Sequence, residues 1–127
     1  MNTEMEKTNE YFIFDQKCNM LLQENEIRFA GIINRMGRSV AGGSKKGIPS
    51  LVDDAELQKM YIELALRVSM RQEFDYCLGP VKYCASRREK ALVMSFPLDS
   101  NILLVSAEPS TNVDKIANKI MKIIGLN

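Results

Sequence analysis

With 127 residues, 46% hydrophobic and 26% charged, and a formal net charge of +1, the chain has the makeup of one folded unit, neither disordered nor polybasic. Its apolar runs, such as Ile102 to Val105, are too short to cross a bilayer, and an N-terminus mixing Glu4, Glu6, Lys7 and Glu10 is unlike a secretory leader, so a cytoplasmic protein with no membrane partner is expected. Histidine is absent and the three cysteines, Cys18, Cys77 and Cys84, form no Cys-x-x-Cys pair; this removes Ser-His-Asp and Cys-His nucleophiles and histidine metal sites, and reads as thiols kept reduced.

Taken in order, residues 1–10 are expected to fray, and Tyr11, Phe14, Cys18, Leu21 and Leu22 then recur at three and four as the stripe of an amphipathic helix. From Ile27 the period becomes two. Ile27, Phe29, Gly31 and Ile33 alternate with Arg28, Ala30, Ile32 and Asn34, a strand that reverses at Asn34-Arg35-Met36-Gly37 and returns over Arg38 to Gly42. Gly42-Gly43-Ser44-Lys45-Lys46-Gly47 reads as a flexible basic loop. Asp53 with Glu56 predicts a capped start to a long helix whose stripe is Leu57, Met60, Tyr61, Leu64, Val68 and Phe74, bent between Ser69 and Phe74 and stopped by Gly79-Pro80. Three strands follow: Val81 to Ser86, Ala91 to Phe96 ended by Pro97, and Ile102 to Ala107. The last two are apolar enough to be covered on both faces. A closing helix carries Val113, Ile116, Ala117, Ile120, Met121 and Ile124 on one stripe, with Thr111 or Asn112 as its cap. The fold class is therefore α+β: a five-stranded antiparallel sheet with helices packed on it, in the order α-β-β-α-β-β-β-α, as one domain over 1–127.

That order covers nearly the whole chain. Together with the hairpin Phe29-Ala30-Gly31-Ile32-Ile33-Asn34-Arg35-Met36-Gly37-Arg38-Ser39-Val40-Ala41, and with Leu103-Leu104-Val105 ahead of the last helix, it resembles the roadblock/dynein-light-chain domain of the profilin-like and longin-like folds. The run from Ile27 through Pro109 also resembles an uncharacterised archaeal family of small proteins. The roadblock resemblance implies a domain without catalysis or cofactor, dimerising through its central helix and an edge strand. It implies a regulatory platform for a small GTPase, or an adaptor in a signalling complex. The basic loop from Gly43 to Gly47 is more pronounced than that family requires.

Residues 27–50 hold Arg28, Arg35, Arg38, Lys45 and Lys46 and no acid, while residues 1–26 hold six acids against two bases and residues 51–79 six against three. Arg35, Arg38, Lys45 and Lys46 are expected to form a basic rim for an acidic protein partner; a nucleic-acid-binding stripe is the alternative, weakened by Phe29 being the only aromatic there to stack bases. The glycine-rich loop fails the Walker pattern, because Pro49 and further residues precede the helix. Asp53, Asp54 and Glu56 read as a helix cap before a cation site, and the turn from Arg87 to Lys90 as a solvated charge run. Met60, Met70, Met94 and Met121 read as core filling; lining a small-ligand sensing cavity, with Tyr83, Cys84 and Ser95, is the alternative. On the long helix, Ile62, Leu66 and Met70 lie off the core stripe and are the expected partner interface of a homodimer.

Overall fold

In the computed structural model the described residues are 3–125. Helix α1 (Thr3–Leu22) leads into strands β1 (Ile27–Asn34) and β2 (Ser39–Ser44); α2 (Asp54–Gln72) and the one-turn α3 (Asp75–Leu78) follow, then β3 (Cys84–Arg87), β4 (Leu92–Leu98), β5 (Asn101–Ala107) and α4 (Val113–Ile124). The five strands form one sheet in the order β2-β1-β5-β4-β3, antiparallel at every junction. β5 and β1 lie inside it, and β2 and β3 are its edges. The expected fraying falls partly on residues 1 and 2, outside the described residues; from Thr3 the backbone is helical.

Period-two patterning divides the core by the faces of the sheet. Leu103 and Val105 of β5 join Ala30, Ile32, Met94 and Phe96 beneath Cys18 and Leu21 of α1 and Ile116 and Ile120 of α4. Ile102 and Leu104 point the other way and meet Ile33 with Tyr61, Ala65 and Val68 of α2, flanked by Phe29, Leu57, Leu64 and Val93. One face thus carries two helices and the other carries one.

Local chemistry fixes the connections. Asp53 caps α2 by accepting from the Glu56 amide at 2.7 Å, and Asn112 caps α4 by accepting from the Lys115 amide at 3.0 Å. Two lysines from elsewhere in the chain serve helix C-terminal ends: Lys17 donates to the Ile124 carbonyl at 2.5 Å, and Lys45 to the Glu24 carbonyl just beyond α1 at 2.6 Å. In the β1–β2 turn, the Asn34 side chain accepts from the amides of Met36 and Arg38, and Gly37 takes φ +80°. Gly42 has φ +86°, and a Cβ there would sit 2.2 Å from the Ala30 carbonyl oxygen and 2.9 Å from the Cys18 sulfur. Glycine at that position lets α1 lie close on the hairpin.

Several expectations are corrected. Tyr11 continues the stripe of α1 yet is exposed, beside exposed Phe12 and Ile13. β2 runs on to Ser44, so half of the expected glycine-rich loop is strand, and β3 starts at Cys84 instead of Val81. The bend expected in the long helix is a break at Glu73–Phe74, after which Phe74 is exposed instead of packed. β4 passes through Pro97, which pairs with Ile102. Leu98 and Asn101 close a two-residue hairpin, and the alternation from that pair turns the Pro97 nitrogen away from β5. β3 has already ended there, its last partner being Ser95, so the missing amide hydrogen costs no ladder bond.

Candidate interaction surface

α2 has two apolar sides. Tyr61, Ala65 and Val68 are buried against the sheet, while Ile62, Leu66 and Met70 are 52%, 62% and 66% exposed. These three are spaced by four residues, so they form one ridge on the outer side, and Phe74, 55% exposed, continues it past the break. Beyond lie Tyr76 and Leu78 of α3, both almost fully exposed. Glu63 and Arg67 pair on α2 beside the ridge. Monomeric proteins seldom leave large apolar side chains in water in a contiguous row. Full burial of each is worth about 1.5–3 kcal/mol.

The β1–β2 turn adjoins this ridge. A Cβ on Gly37 would come within 2.8 Å of the Ile62 Cα, so the turn rests on the backbone of α2. Met36 at its tip is 72% exposed and adds another apolar side chain at that end. Arg35 ties the turn down, donating to Gln72 Oε1 at 2.6 Å and to the Asp99 carbonyl at 2.7 Å. Arg38 is exposed in the same turn.

The four expected rim residues do not form one rim. Arg35 and Arg38 precede β2, and Lys45 and Lys46 follow it, at opposite ends of a six-residue strand. Arg35 and Lys45 have structural roles through the hydrogen bonds above. Arg28 does as well, bonding Glu108 at 3.0 Å and the Pro49 carbonyl at 3.1 Å. Arg38 and Lys46 are exposed, with no ion-pair partner among the described residues.

The remaining candidates resolve locally. Asp53 is occupied as a cap. Met94 is buried in the core, whereas Met70 belongs to the outer ridge. Cys18 is buried, and burial, with Asp15 contributing, pushes its thiol up to about 11, which holds it protonated and unreactive at neutral pH. Tyr83 donates to Asp114 at 2.8 Å, and this bond raises its pKa first of all. Cys77 and Cys84 are free thiols. Under the loop after β2, a recess of about 40 Å³ is lined by Arg28, Phe29, Ser44 and Leu51 among others, far below the roughly 300 Å³ of a small-molecule site, and a wider one of about 490 Å³, beside Glu26, Asn112, Lys115 and Lys119, is open to solvent. No described helix is long and apolar enough to cross a membrane.

What sequence reasoning missed is the reach of the outer ridge beyond Met70 and its junction with Met36. The four-residue spacing to Phe74 was available as a signal; the contact of Gly37 with Ile62 is tertiary and left no local mark.

A five-stranded antiparallel sheet with a two-helix layer on one side and a single two-sided helix on the other defines a roadblock-like, profilin-like α+β fold. Solved structures agree. The chain is similar to MglB of Myxococcus xanthus (13% identity, TM-score 0.72, covering 91% of this chain and 85% of that one). It is similar to a Roadblock/LC7 domain of Streptomyces avermitilis (12% identity, TM-score 0.67, 87% and 91%) and to Schizosaccharomyces pombe profilin (15% identity, TM-score 0.60, 86% and 90%). At these identities the likeness is one of fold. By sequence, residues 6–127 match the family described as "Family of unknown function (DUF6659)", and the chain belongs to that family. No curated protein matches it in sequence. None of these matches bears on the archaeal origin that the narrower resemblance implied.

Proposed function

We propose that this chain is a non-enzymatic regulatory and interaction domain of the cytoplasm, which forms a homodimer through α2 and presents the composite surface to a small GTPase or similar signalling protein. The observation that carries this reading is the outward ridge Ile62, Leu66, Met70 and Phe74 on a helix whose other side is already packed. The α2 part of the ridge, Ile62, Leu66 and Met70, is symmetric about Leu66. A two-fold axis there sets Ile62 against Met70 of the second copy, and the same register sets Lys59 against Glu73 of the second copy, opposite charges at both ends of the contact. The 4-spaced ridges of two such helices interdigitate. The break after Gln72 leaves Phe74, Tyr76 and Leu78 beside the contact to enlarge it. The GTPase comes from the roadblock resemblance, and the fold shared with MglB supports it.

Sedimentation velocity tests the dimer. The wild-type chain is expected to sediment as a dimer at micromolar concentration. Leu66→Glu is expected to be a folded monomer, and Lys59→Glu to weaken association, with Glu73→Lys restoring it in the double variant. A wild-type monomer at high micromolar concentration overturns the dimer. Titration with small GTPases of the source organism, loaded with GDP or a GTP analogue, tests the partner; equal absence of binding in both states overturns it.

A further inference from the structure

The outer edge of β2 is the second open boundary of the sheet, on the side remote from β3. Exposed sheet edges are ordinarily blunted by a charged residue or a proline within the strand, or by a covering loop. β2 has neither residue: it reads Ser-Val-Ala-Gly-Gly-Ser, its one irregularity is the register shift at Val40, which leaves Ala41 to Ser44 as the regular stretch, and no strand pairs with its outer edge. Its side chains are small, so nothing on them obstructs an approaching backbone.

The ladder shows which groups face outward. The Lys45 amide donates to the Arg28 carbonyl at 2.8 Å, and the next pairs inward are Phe29 with Ser44 and Gly31 with Gly42. Antiparallel alternation turns the backbone groups of Gly42 and Ser44 away from β1, and both residues are exposed. The charge at this edge is one-sided. Residues 27–50 contain five bases and no acid. Arg28, Arg35 and Lys45 are engaged in the hydrogen bonds already described, which leaves Arg38 just before β2 and Lys46 just after it, both exposed and unpaired among the described residues.

We propose that β2 is a docking edge for an extended acidic segment of a partner protein, which adds as a sixth strand with carboxylates over Arg38 and Lys46. Main-chain hydrogen bonds supply the affinity and the two terminal cations select acidic over basic sequences. A segment of about eight residues, roughly 26 Å when extended, reaches from one cation to the other. This surface meets the outer ridge of α2 only at the β1–β2 turn that carries Arg38, and the backbone groups of Gly42 and Ser44 lie beyond that turn.

The test is amide NMR of the full chain titrated with a capped octapeptide of alternating Glu and Val, against a Lys–Val octapeptide of the same length. Saturable shifts at Gly42, Gly43 and Ser44, slowed exchange of the outward amides and no response to the Lys–Val peptide are expected. The Arg38→Glu/Lys46→Glu variant is expected to bind about tenfold or more weakly with an otherwise unchanged spectrum. Ser44→Pro, which deletes one outward donor and keeps both charges, should also weaken binding. No shift at millimolar peptide overturns the proposal, as does equal binding of both peptides, or shifts confined to α2 or β3. Protection of the β2 amides that rises with protein concentration alone overturns it too, since a second copy would then be the occupant.

Discussion

The two faces of the sheet solve the same problem differently. Under α1 and α4, Phe96, Met94, Leu103 and Val105 meet helices whose apolar stripes end on that face, and the layer is closed from Cys18 to Ile124. Under α2 the cluster is smaller, and the helix above it packs Leu57, Tyr61, Leu64 and Val68 on the sheet while holding Ile62, Leu66 and Met70 outside. The first face is closed within the chain; the second leaves apolar surface in water. One polar detail marks the contrast: the caps and lysine contacts at the ends of α1 and α4 lie within the chain, whereas Lys59 and Glu73 of α2 are exposed and form no ion pair among the described residues.

That contrast yields graded expectations. Phe96→Ala, in the closed face, should cost about 3–5 kcal/mol in denaturant unfolding, because the ring is fully buried and its neighbours cannot collapse into the space. Cys18 should make the same face alkali-sensitive. An unfolded chain releases this proton near 9.0 and the folded chain only near about 11, so rising pH favours the unfolded state between those values. Wild type should therefore lose about 2 kcal/mol more than Cys18→Ala between pH 9 and pH 11, read from urea midpoints at each pH. Gly37→Ala, at the junction of the turn with α2, should cost about 1–3 kcal/mol through positive φ and the collision with the Ile62 backbone. Leu66→Ala should alter the unfolding free energy of the isolated protomer by no more than about 0.5 kcal/mol, while weakening association. A large protomer cost for Leu66→Ala would mean that α2 is already covered within its own chain.

How far the sequence foretold this depended on whether a signal was local. The stripe of α4, the Asp53 cap and the double-sided burial of β4 and β5 were all readable, because period and capping chemistry act within a few residues. Ile62, Leu66 and Met70 were visible as apolar residues off the core stripe. Tyr11 misled, since its spacing continues a buried stripe past the point where the opposing surface ends, and Phe74 was read with the core stripe although it lies four residues beyond Met70, on the spacing of the outer ridge. Pro97 misled for a related reason: proline stops a strand that has neighbours on both sides, and only the shortness of β3 frees β4 of one. The basic residues clustered in sequence, yet β2 carries Arg35 and Arg38 to one end and Lys45 and Lys46 to the other. Partner choice leaves no such local trace.

The proline in β4 also constrains growth of the sheet. With its nitrogen turned toward the lane of β3, Pro97 cannot donate the next ladder bond there, so β3 cannot pair regularly beyond Cys84. The edge left open on that side is therefore only four residues long, too short a template for an extended ladder.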